Sequence, residues 1–240
     1  MLVDSLSGSF SIYTPNFTHS SKLENLFENV LCSAIPDFLY GLNSFPKTKQ
    51  MNEEDFSQEF TISLSRYLSS NSKGIITVQD FRDFYTIDAN PVKRVDFAFV
   101  SSEQGAIKNK LYTVEAKRLP TGLGSREKEY VFGFFSSGSS SGGIQRFKTG
   151  DHGYGLSKGA LLGYVEEKSF SDWHNTINSW IVEKAKELPD EWSESEQLQE
   201  IEIDSNQVCS FCRSSAKRVS DSISLFHLWI KIPLISILKM

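Results

Sequence analysis

The middle of the chain contains two short, largely apolar runs whose side chains alternate in character, at 94–100 and 111–119. Both runs are rich in β-branched and aromatic residues and predict β-strands. The polar, glycine-containing segment between them predicts a hairpin loop. Successive side chains point to opposite faces of a strand, and a hairpin centred on this loop places Asp96 opposite Glu115 or Ala116.

Two helices are predicted before these strands. Apolar residues recur at helical spacing over 22–31 and again over 53–68, as expected for helices that bury one face. We expect Pro36 to break the chain after the first helix, because proline lacks the backbone N–H that a helix interior needs. Asn52 is suited to cap the second helix, and the acidic residues that follow it favour a helix N-terminus.

The second half of the chain predicts a loop and several further elements. The serine- and glycine-rich stretch at 136–143 predicts a mobile surface loop. After it we expect a helix opening or tight turn at 143–148, a buried strand at 161–165, a helix at 173–188 capped by Ser171 or Asp172, and closing strands at 208–219 and 223–230.

The hairpin would gather charge at one end of the sheet. Asp96, Glu115 and Lys117 fall at the same end of the two predicted strands, and such charges on a half-buried sheet are costly unless something compensates them. A divalent cation between the two carboxylates would do so, because hard cations prefer carboxylate oxygens. Lys117 would then position or help to deprotonate an attacking water, or stabilise an anion. The alternative is an ordinary edge hairpin with a surface salt bridge that contributes little.

An Asp on one strand and a Glu-x-Lys element near the end of the next resemble the PD-(D/E)xK nuclease superfamily, which has the restriction-endonuclease-like fold. Glu115-Ala116-Lys117 matches the Glu-x-Lys element, whereas Val95-Asp96 stands where the family has Pro-Asp. The resemblance implies an α/β core of one helix, a hairpin-rich mixed central sheet and a second helix. It also implies a metal-dependent phosphodiesterase in which Asp96, Glu115 and the Ala116 carbonyl hold Mg²⁺ or Mn²⁺ and Lys117 acts on the water or the pentavalent phosphate.

In similar nucleases a helix just before the sheet contributes a further acidic residue to the metal site. Glu54, near the start of the second predicted helix, is our first choice for that ligand, and Glu59 is the alternative. Acids in the first turn of a helix also act as simple caps, so a purely structural role for Glu54 stays open.

A second likeness follows the Glu-x-Lys strand. The runs at 143–147 (Gly-Ile-Gln-Arg-Phe), 150–155 and 163–165 (Gly-Tyr-Val) are similar to elements of restriction-endonuclease-like proteins that are frequent in bacterial anti-phage and mobile-element settings. This likeness implies that Gln145 orients the attacking water or Lys117. The alternative is that Gln145 is simply solvated.

Charge is distributed unevenly along the chain, whose net charge is -5. From 110 to 150 there are seven basic and three acidic residues, a net charge of +4, whereas 165–204 has twelve acidic and three basic residues, or -9. A positive segment directly after the motif suits a phosphate backbone, and chance clustering of solvated charges is the alternative. We expect Arg118, Arg146 and Lys148 to contact nucleic acid, unless Arg146 pairs with a surface acid.

Two other motifs carry less weight. The run at 155–159 matches Gly-x-Ser-x-Gly, but a glycine-rich loop precedes it and a strand follows, the reverse of a nucleophile elbow. Cys209-x-x-Cys212 lacks the second ligand pair of a zinc site, and a buried structural thiol pair is the favoured interpretation. The odd number of cysteines, three, argues against a disulfide framework and fits a reducing cytoplasm. We expect neither a secretory signal nor a membrane span.

These observations lead to one architecture and two hypotheses for function. The 240 residues predict a helical extension at 1–50, the nuclease core at 51–170, and a C-terminal helix with closing strands packed on that core at 171–240. The first hypothesis is a cytoplasmic endonuclease of bacterial defence or restriction that cleaves DNA, with RNA as a weaker option and a homodimer as a further expectation. The second is a binding or assembly subunit that is active only with or through a protein partner in a defence complex.

Overall fold

The computed structural model describes most of the chain and all of the motif-bearing strand residues. The described residues are 26–44, 51–72, 74–82, 94–103, 110–122, 126–134, 138 and 140–233. Parts of four predictions lie outside them: the helical extension at 1–25 and 45–50, which includes the start of the first predicted helix, the hairpin loop at 104–109, part of the serine-rich loop, and the C-terminal end at 234–240.

Two helices precede three consecutive strands, and a helix, a strand, a second helix and three further strands follow along the described residues. The helices are α1 (Leu26–Ser44), α2 (Glu53–Asn71), α3 (Gly143–Thr149) and α4 (Phe170–Glu187). The strands are β1 (Ile75–Arg82), β2 (Arg94–Ser101), β3 (Lys110–Leu119), β4 (Lys158–Val165), β5 (Glu202–Ile203), β6 (Cys209–Lys217) and β7 (Ser222–Lys231). A short 3₁₀ helix at Glu194–Glu196 precedes β5.

The strands form one mixed sheet in the order β1-β2-β3-β4-β7-β6-β5. β4 runs parallel to both β3 and β7, and the other neighbouring strands are antiparallel. The predicted α/β class with a mixed central sheet is therefore confirmed. Because β7 pairs with β4, the sheet continues across the boundary predicted near residue 170, and the division of the chain into three parts stays a prediction.

A different pair of helices covers each face of the sheet. On one face, Phe38 of α1 and Phe60 of α2 pack with Phe97 of β2 in one buried cluster. On the other face, Ile177 of α4 packs with Trp229 of β7 in a second cluster, which also contains side chains of α3. Burial of these large apolar side chains is the main favourable contribution to joining the helices to the sheet.

The predicted break at Pro36 is wrong, because α1 continues through the proline to Ser44. Ile35, Phe38 and Leu42 are all buried, so the apolar face of the helix extends past the proline. Burying side chains of this size contributes about 1.5–3 kcal/mol each, which together outweighs the roughly 3 kcal/mol cost of an interior proline. Tertiary packing, rather than local propensity, sets the length of this helix.

The second helix begins as predicted. The Asn52 side chain accepts a hydrogen bond from the Asp55 N–H at 2.8 Å, and the Asp55 carboxylate accepts one from the Asn52 N–H at 3.0 Å. This reciprocal pair is a capping box. It fixes the first turn of α2. This places Glu53 at the open end of the β2–β3 hairpin, where β2 begins and β3 ends.

Two local predictions in the second half of the chain are corrected. Ser169 caps α4, rather than Ser171 or Asp172, and the Asp172 carboxylate closes a capping box with it. The serine-rich stretch is not a surface loop over its last residues, because Ser141 and Gly142 are buried. Their neighbours hydrogen-bond to the preceding turn, and these contacts fix where α3 starts.

Candidate functional site

The pairing of β2 with β3 brings the predicted acidic residues together. Phe97 lies opposite Val114 in this antiparallel register, which places Asp96 beside Glu115 on the same face of the sheet. The Asp96 Oδ2 atom accepts a hydrogen bond from the Ala116 N–H at 2.6 Å. The predicted pairing of Asp96 with the step from Glu115 to Ala116 is confirmed.

The backbone N–H and C=O groups of Ala116 face β2. In a strand, the N–H and C=O groups of one residue face the same neighbouring strand, and the Ala116 N–H faces Asp96. The Ala116 carbonyl oxygen therefore lies on the Asp96 side of β3. Its methyl group belongs to the buried cluster beneath α1 and α2, so only the backbone of this residue is accessible to the site.

The Glu115 carboxylate lies in a buried cluster of basic groups. Its residue is 2% exposed, and its Oε1 atom is 2.9 Å from both Lys117 Nζ and Arg146 Nη1. Its Oε2 atom is 3.1 Å from His152 Nε2. Burial raises the pKa of a carboxyl group, but Lys117, His152 and Arg146 outweigh burial here and hold the pKa of Glu115 well below its usual range. Glu115 is therefore ionised at neutral pH.

The structure places Glu53, rather than Glu54 or Glu59, against the motif. Its Oε1 atom lies 3.4 Å from Lys117 Nζ, and its Oε2 atom accepts the Arg118 N–H at 2.9 Å. Each further residue of a helix is rotated by about 100°, but Glu54 lines the same pocket as Glu53 and Asp96, so its role as a metal ligand stays a prediction. Glu59 lies more than a turn away, buried beside α1. Rotation about the helix axis decides which acid reaches β3.

Lys117 is the cation that links the carboxylates of the site. Its side chain is 9% exposed. Burial alone lowers the pKa of a lysine, but Glu115, Glu53 and Asp96 outweigh burial and raise the pKa of Lys117 above its ordinary value. The ammonium group therefore keeps its proton at neutral pH. Of the roles that the sequence left open, this charge favours orienting water and stabilising an anion over removing a proton.

Asp96 has the opposite electrostatic character. Burial raises its pKa well above the ordinary value, and Glu115 and Glu53 raise it further, against partial opposition from Lys117 and the Ala116 N–H. A carboxyl group in this position binds a proton more readily than an exposed one does. A metal cation beside its oxygens would favour the ionised form instead.

An open pocket of about 450 Å³ lies between the start of α2 and the adjoining ends of β1 and β2. Its lining is mostly polar and consists of Asn52, Glu53, Glu54, Ser57, Gln79, Asp80, Arg94 and Asp96. The Asp80–Arg94 pair, at 2.6 Å, is exposed and contributes little stability. Solvent reaches Asp96 and Glu53 through this pocket, whereas Glu115 is buried.

The oxygen atoms around Asp96 fit a hard divalent cation. Asp96 and Glu53 line the pocket, the Ala116 carbonyl faces the same side, and Mg²⁺ and Mn²⁺ prefer such oxygens. A carboxylate has about four acceptor positions, and the three basic groups around Glu115 occupy three of them. A metal would therefore have at most one acceptor position on Glu115. Within the described residues, no three His, Cys, Asp or Glu side chains form a ready-made metal site.

Two of the predicted phosphate contacts are held in ion pairs within the protein. Arg118 donates two hydrogen bonds to the Glu166 carboxylate, and Lys148 forms a buried pair with Glu196. Arg118 stays partly accessible, whereas the Lys148 side chain offers little surface to a phosphate. Contact with nucleic acid stays a prediction for both residues, and burial makes it less favourable for Lys148.

The helix α3 brings Arg146, one of its three predicted site residues, to the site. Arg146 reaches Glu115, a buried acid rather than the surface acid considered from the sequence. The Gln145 Oε1 atom instead accepts the Gly133 N–H at 3.1 Å, which holds the turn before α3. The predicted role of Gln145 in orienting a water or Lys117 stays a prediction, and this contact does not favour it.

His152 is, after Glu53, a second site residue that the sequence does not reveal. It is fully buried, with Nε2 beside Glu115 Oε2 and Nδ1 3.1 Å from the Asp151 carbonyl oxygen. Its Nε2 atom also lies 3.3 Å from Arg146 Nη1, so the ring contacts both the buried acid and one of the bases that surround it. The sequence offers one signal, a histidine among the glycines of 150–155, but its partner is visible only after folding.

The two remaining motifs do not form sites. The Gly-x-Ser-x-Gly run at 155–159 leads from a loop into β4, which is not the strand–turn–helix context of a nucleophile elbow. Cys209 and Cys212 are buried and outside any disulfide, but they belong to clusters on opposite faces of the sheet, as three positions along a strand require. The two thiols are therefore buried as predicted, but they do not lie side by side.

No family model, no curated protein and no solved structure matches this chain. Among the described residues, no helix combines the length and the apolar character needed to cross a membrane. The case for a function accordingly rests on the residues that meet at the end of the β2–β3 hairpin.

Proposed function

We propose that this protein is a metal-dependent endonuclease of the PD-(D/E)xK type that hydrolyses phosphodiester bonds in DNA. One observation carries the proposal: Asp96, Glu115 and Lys117 meet at one end of the hairpin, where Glu53 joins them from α2. Clustered carboxylates, a backbone carbonyl and a protonated lysine are the groups that metal-assisted cleavage of a phosphodiester uses.

The order of elements around the site supports a restriction-endonuclease-like core. α2 precedes the antiparallel strands β1, β2 and β3, and α3 precedes β4, which pairs in parallel with β3. This arrangement agrees with the core implied by the resemblance: one helix, a hairpin-rich mixed sheet and a second helix. In this proposal β7, β6 and β5 extend the core sheet beyond β4.

Each residue of the cluster has a role in this proposal. Asp96, Glu115, Glu53 and the Ala116 carbonyl would hold Mg²⁺ or Mn²⁺. The ion supplies a bound water of lowered pKa and neutralises charge that develops on the phosphate. Lys117, held in place by Glu115 and Glu53, keeps a positive charge beside the carboxylates, where it orients the attacking water and stabilises the negatively charged phosphate.

The same proposal includes a cellular setting. The three cysteines are buried and none of them forms a disulfide, which fits a protein of a reducing cytoplasm. The resemblance to defence-associated nucleases motivates a role in bacterial anti-phage defence or restriction. DNA is the proposed substrate because the positive segment after β3 suits a phosphate backbone, and the resemblance favours DNA over RNA.

Cleavage by the purified full chain tests the proposed function. Supercoiled plasmid, linear duplex and an RNA of matching sequence are incubated with the protein in Mg²⁺, in Mn²⁺ and with a chelator. We expect nicked and linear DNA with either metal and intact DNA with the chelator, because the ion supplies both the nucleophile and the charge. Cleavage that persists in the chelator contradicts the metal-dependent reaction, and preferential cleavage of RNA contradicts the choice of substrate.

Replacing Glu53 with glutamine is expected to slow cleavage about tenfold or more, and to slow it more than the same change at Glu54. Both acids line the pocket beside Asp96, but Glu53 also contacts Lys117 Nζ and the Arg118 N–H. Initial rates of plasmid nicking by the two variants measure the difference. A larger loss at Glu54 would instead identify Glu54 as the ligand that α2 contributes.

One feature of the site favours a second function, that of a subunit which is active only with a partner. Three acceptor positions of Glu115 are occupied by groups of the same chain, and the carboxylate is buried. In this case a partner displaces one of those groups before the chain cuts DNA. Purification of the chain from its native host, followed by cleavage assays on the intact complex and the lone chain, separates the two functions.

A further inference from the structure

Two residues from outside β3 hold the Glu115 carboxylate. Arg146 approaches from α3, with Nη1 2.9 Å from Oε1, and His152 approaches from the loop after α3, with Nε2 3.1 Å from Oε2. Each carboxylate oxygen is thus in contact with a basic side chain, and Lys117 Nζ also lies 2.9 Å from Oε1. A buried carboxylate with partners at both oxygens is held in a single orientation.

The Arg146 side chain is itself fixed. Its Nε donates a hydrogen bond to the Ser140 carbonyl oxygen at 3.1 Å, while Nη1 donates to Glu115. A guanidinium group is planar and presents its donors in a rigid fork, so the contact with Ser140 also sets the direction of the contact with Glu115. The backbone of the serine-rich stretch at Ser140 therefore helps to orient the site.

Contacts with Phe147 and Arg218 hold the loop that carries His152 in place. The imidazole ring packs edge-on against Phe147, with ring centroids 5.8 Å apart. The Arg218 guanidinium donates to the carbonyl oxygens of His152 and Gly153 at 3.2 and 3.1 Å. Gly153 has a φ of +62° and lies so close to Phe147 that a Cβ atom would crowd it at 3.3 Å, so the tight turn requires glycine.

We propose that Arg146 and His152 are positioning residues that hold Glu115 in the orientation in which it shares a metal ion with Asp96. This inference rests on the proposed nuclease function and deepens it, because it assigns Arg146 to the metal site rather than to the phosphate. Partners that orient a metal-ligating carboxylate typically change metal affinity by about 10- to 100-fold when they are removed. The Arg146 effect should therefore appear in metal binding before any DNA is present.

Binding of Mn²⁺ to the full chain without DNA, followed by the electron paramagnetic resonance signal of the free ion, tests the inference. We expect Arg146→Gln and His152→Leu each to weaken Mn²⁺ binding about tenfold or more. His152→Gln retains a side-chain N–H near the position of Nε2 and should recover most of the affinity. Lys148→Gln is the matched control, because Lys148 is the other buried base of α3 and pairs with Glu196 instead.

Glu115→Gln, alone and combined with Arg146→Gln, distinguishes positioning from general loosening of the fold. If Arg146 acts through Glu115, Arg146→Gln weakens Mn²⁺ binding in the parent but has little further effect in Glu115→Gln. An equal loss in both backgrounds, or a similar loss in Lys148→Gln, contradicts the positioning role. Tighter Mn²⁺ binding by Arg146→Gln also overturns it, because Arg146 would then be competing with the ion.

Two outcomes keep this inference separate from the proposed function. If Glu115→Gln weakens Mn²⁺ binding and cleavage while Arg146→Gln and His152→Leu do not, the result supports the nuclease proposal and contradicts the positioning role. If Glu115→Gln binds Mn²⁺ and cleaves DNA like the parent, the result contradicts both the nuclease proposal and the positioning role. Circular dichroism checks folding, and should Arg146→Gln fail to fold, Arg146→Lys and the His152 pair decide the question by the same criteria.

Discussion

Replacing Lys117 with methionine is expected to slow DNA cleavage by a factor of about 10² to 10³. Methionine keeps the apolar stem but lacks the ammonium group, which lies 2.9 Å from Glu115 and 3.4 Å from Glu53. That charge is in place before substrate binds, so its loss removes stabilisation that water does not restore in a buried site. Initial rates of plasmid nicking at saturating Mg²⁺ measure the effect.

Lys231 provides a matched control for this substitution. It ends β7, which lies two strands from β3 in the same sheet, and its Nζ donates to the Lys168 carbonyl oxygen at 2.7 Å. Lys231→Met should cleave like the parent. Breaking a buried ion pair also costs about 3–5 kcal/mol of stability, so both variants are assayed well below their unfolding temperatures. Parental rates in folded Lys117→Met would remove the electrostatic basis of the nuclease proposal.

The hairpin that carries the motif is predictable from the sequence because its determinants are local. Alternating side chains identify β2 and β3, and the length of the connection sets which residues lie opposite one another. The expected pairing of Asp96 with the Glu115–Ala116 step depends on these two quantities alone. It agrees with the hydrogen bond from the Ala116 N–H to Asp96.

The rest of the site depends on contacts between distant parts of the chain, which local patterns do not encode. Glu53 is 64 residues from Lys117, and the choice among the acids of α2 depends on the rotation of the helix against the sheet. His152 lies among glycines that indicate only a turn, until the fold brings that turn to Glu115. Arg146 is recognisable as a site residue, but its pairing with a buried carboxylate rather than a phosphate is not.

The order of the strands in the sheet is also not predictable from local sequence patterns. Apolar patterning identifies β6 and β7, yet it does not reveal that β7 enters the sheet beside β4 while β6 lies further out. Any strand that could lie beside β7 would offer it the same kind of backbone hydrogen bonds. The strand order therefore depends on how α4 and its connections pack on the sheet. Local periodicity therefore predicts the elements better than it predicts their arrangement.

Replacing Asp96 with asparagine is expected to slow cleavage about 10²-fold or more and, without metal, to stabilise the protein at neutral pH. The amide oxygen still accepts the Ala116 N–H, which lies 2.6 Å from Asp96 Oδ2 in the parent. The substitution removes the negative charge that a metal ligand supplies and that burial, Glu115 and Glu53 oppose. Function and stability therefore change in opposite directions, as is common where activity requires groups that the fold disfavours.

The gain in stability should depend on pH. The fold raises the pKa of Asp96 above its ordinary value. Below about pH 3.9, the ordinary pKa of aspartate, the carboxyl group is protonated in both the folded and the unfolded protein, so it does not lower the free energy of unfolding. Above it the unfolded chain releases a proton that the folded chain retains. The free energy of unfolding then falls by about 1.4 kcal/mol for each unit of the raised pKa, until the pH passes the folded value. Asparagine does not titrate, so the advantage of Asp96→Asn grows as the pH rises.

Urea unfolding in a chelator, at about pH 4 and about pH 8, measures this difference. Asp80→Asn is the matched control: Asp80 lines the same pocket but its side chain is 57% exposed, and asparagine tolerates its φ of +49°. Its stability should change by no more than about 0.5 kcal/mol at either pH. If Asp96→Asn gains no stability as the pH rises, Asp96 is not a carboxyl that the fold disfavours when ionised, and the argument for a cation beside it fails. Full cleavage by this variant would exclude Asp96 as a metal ligand.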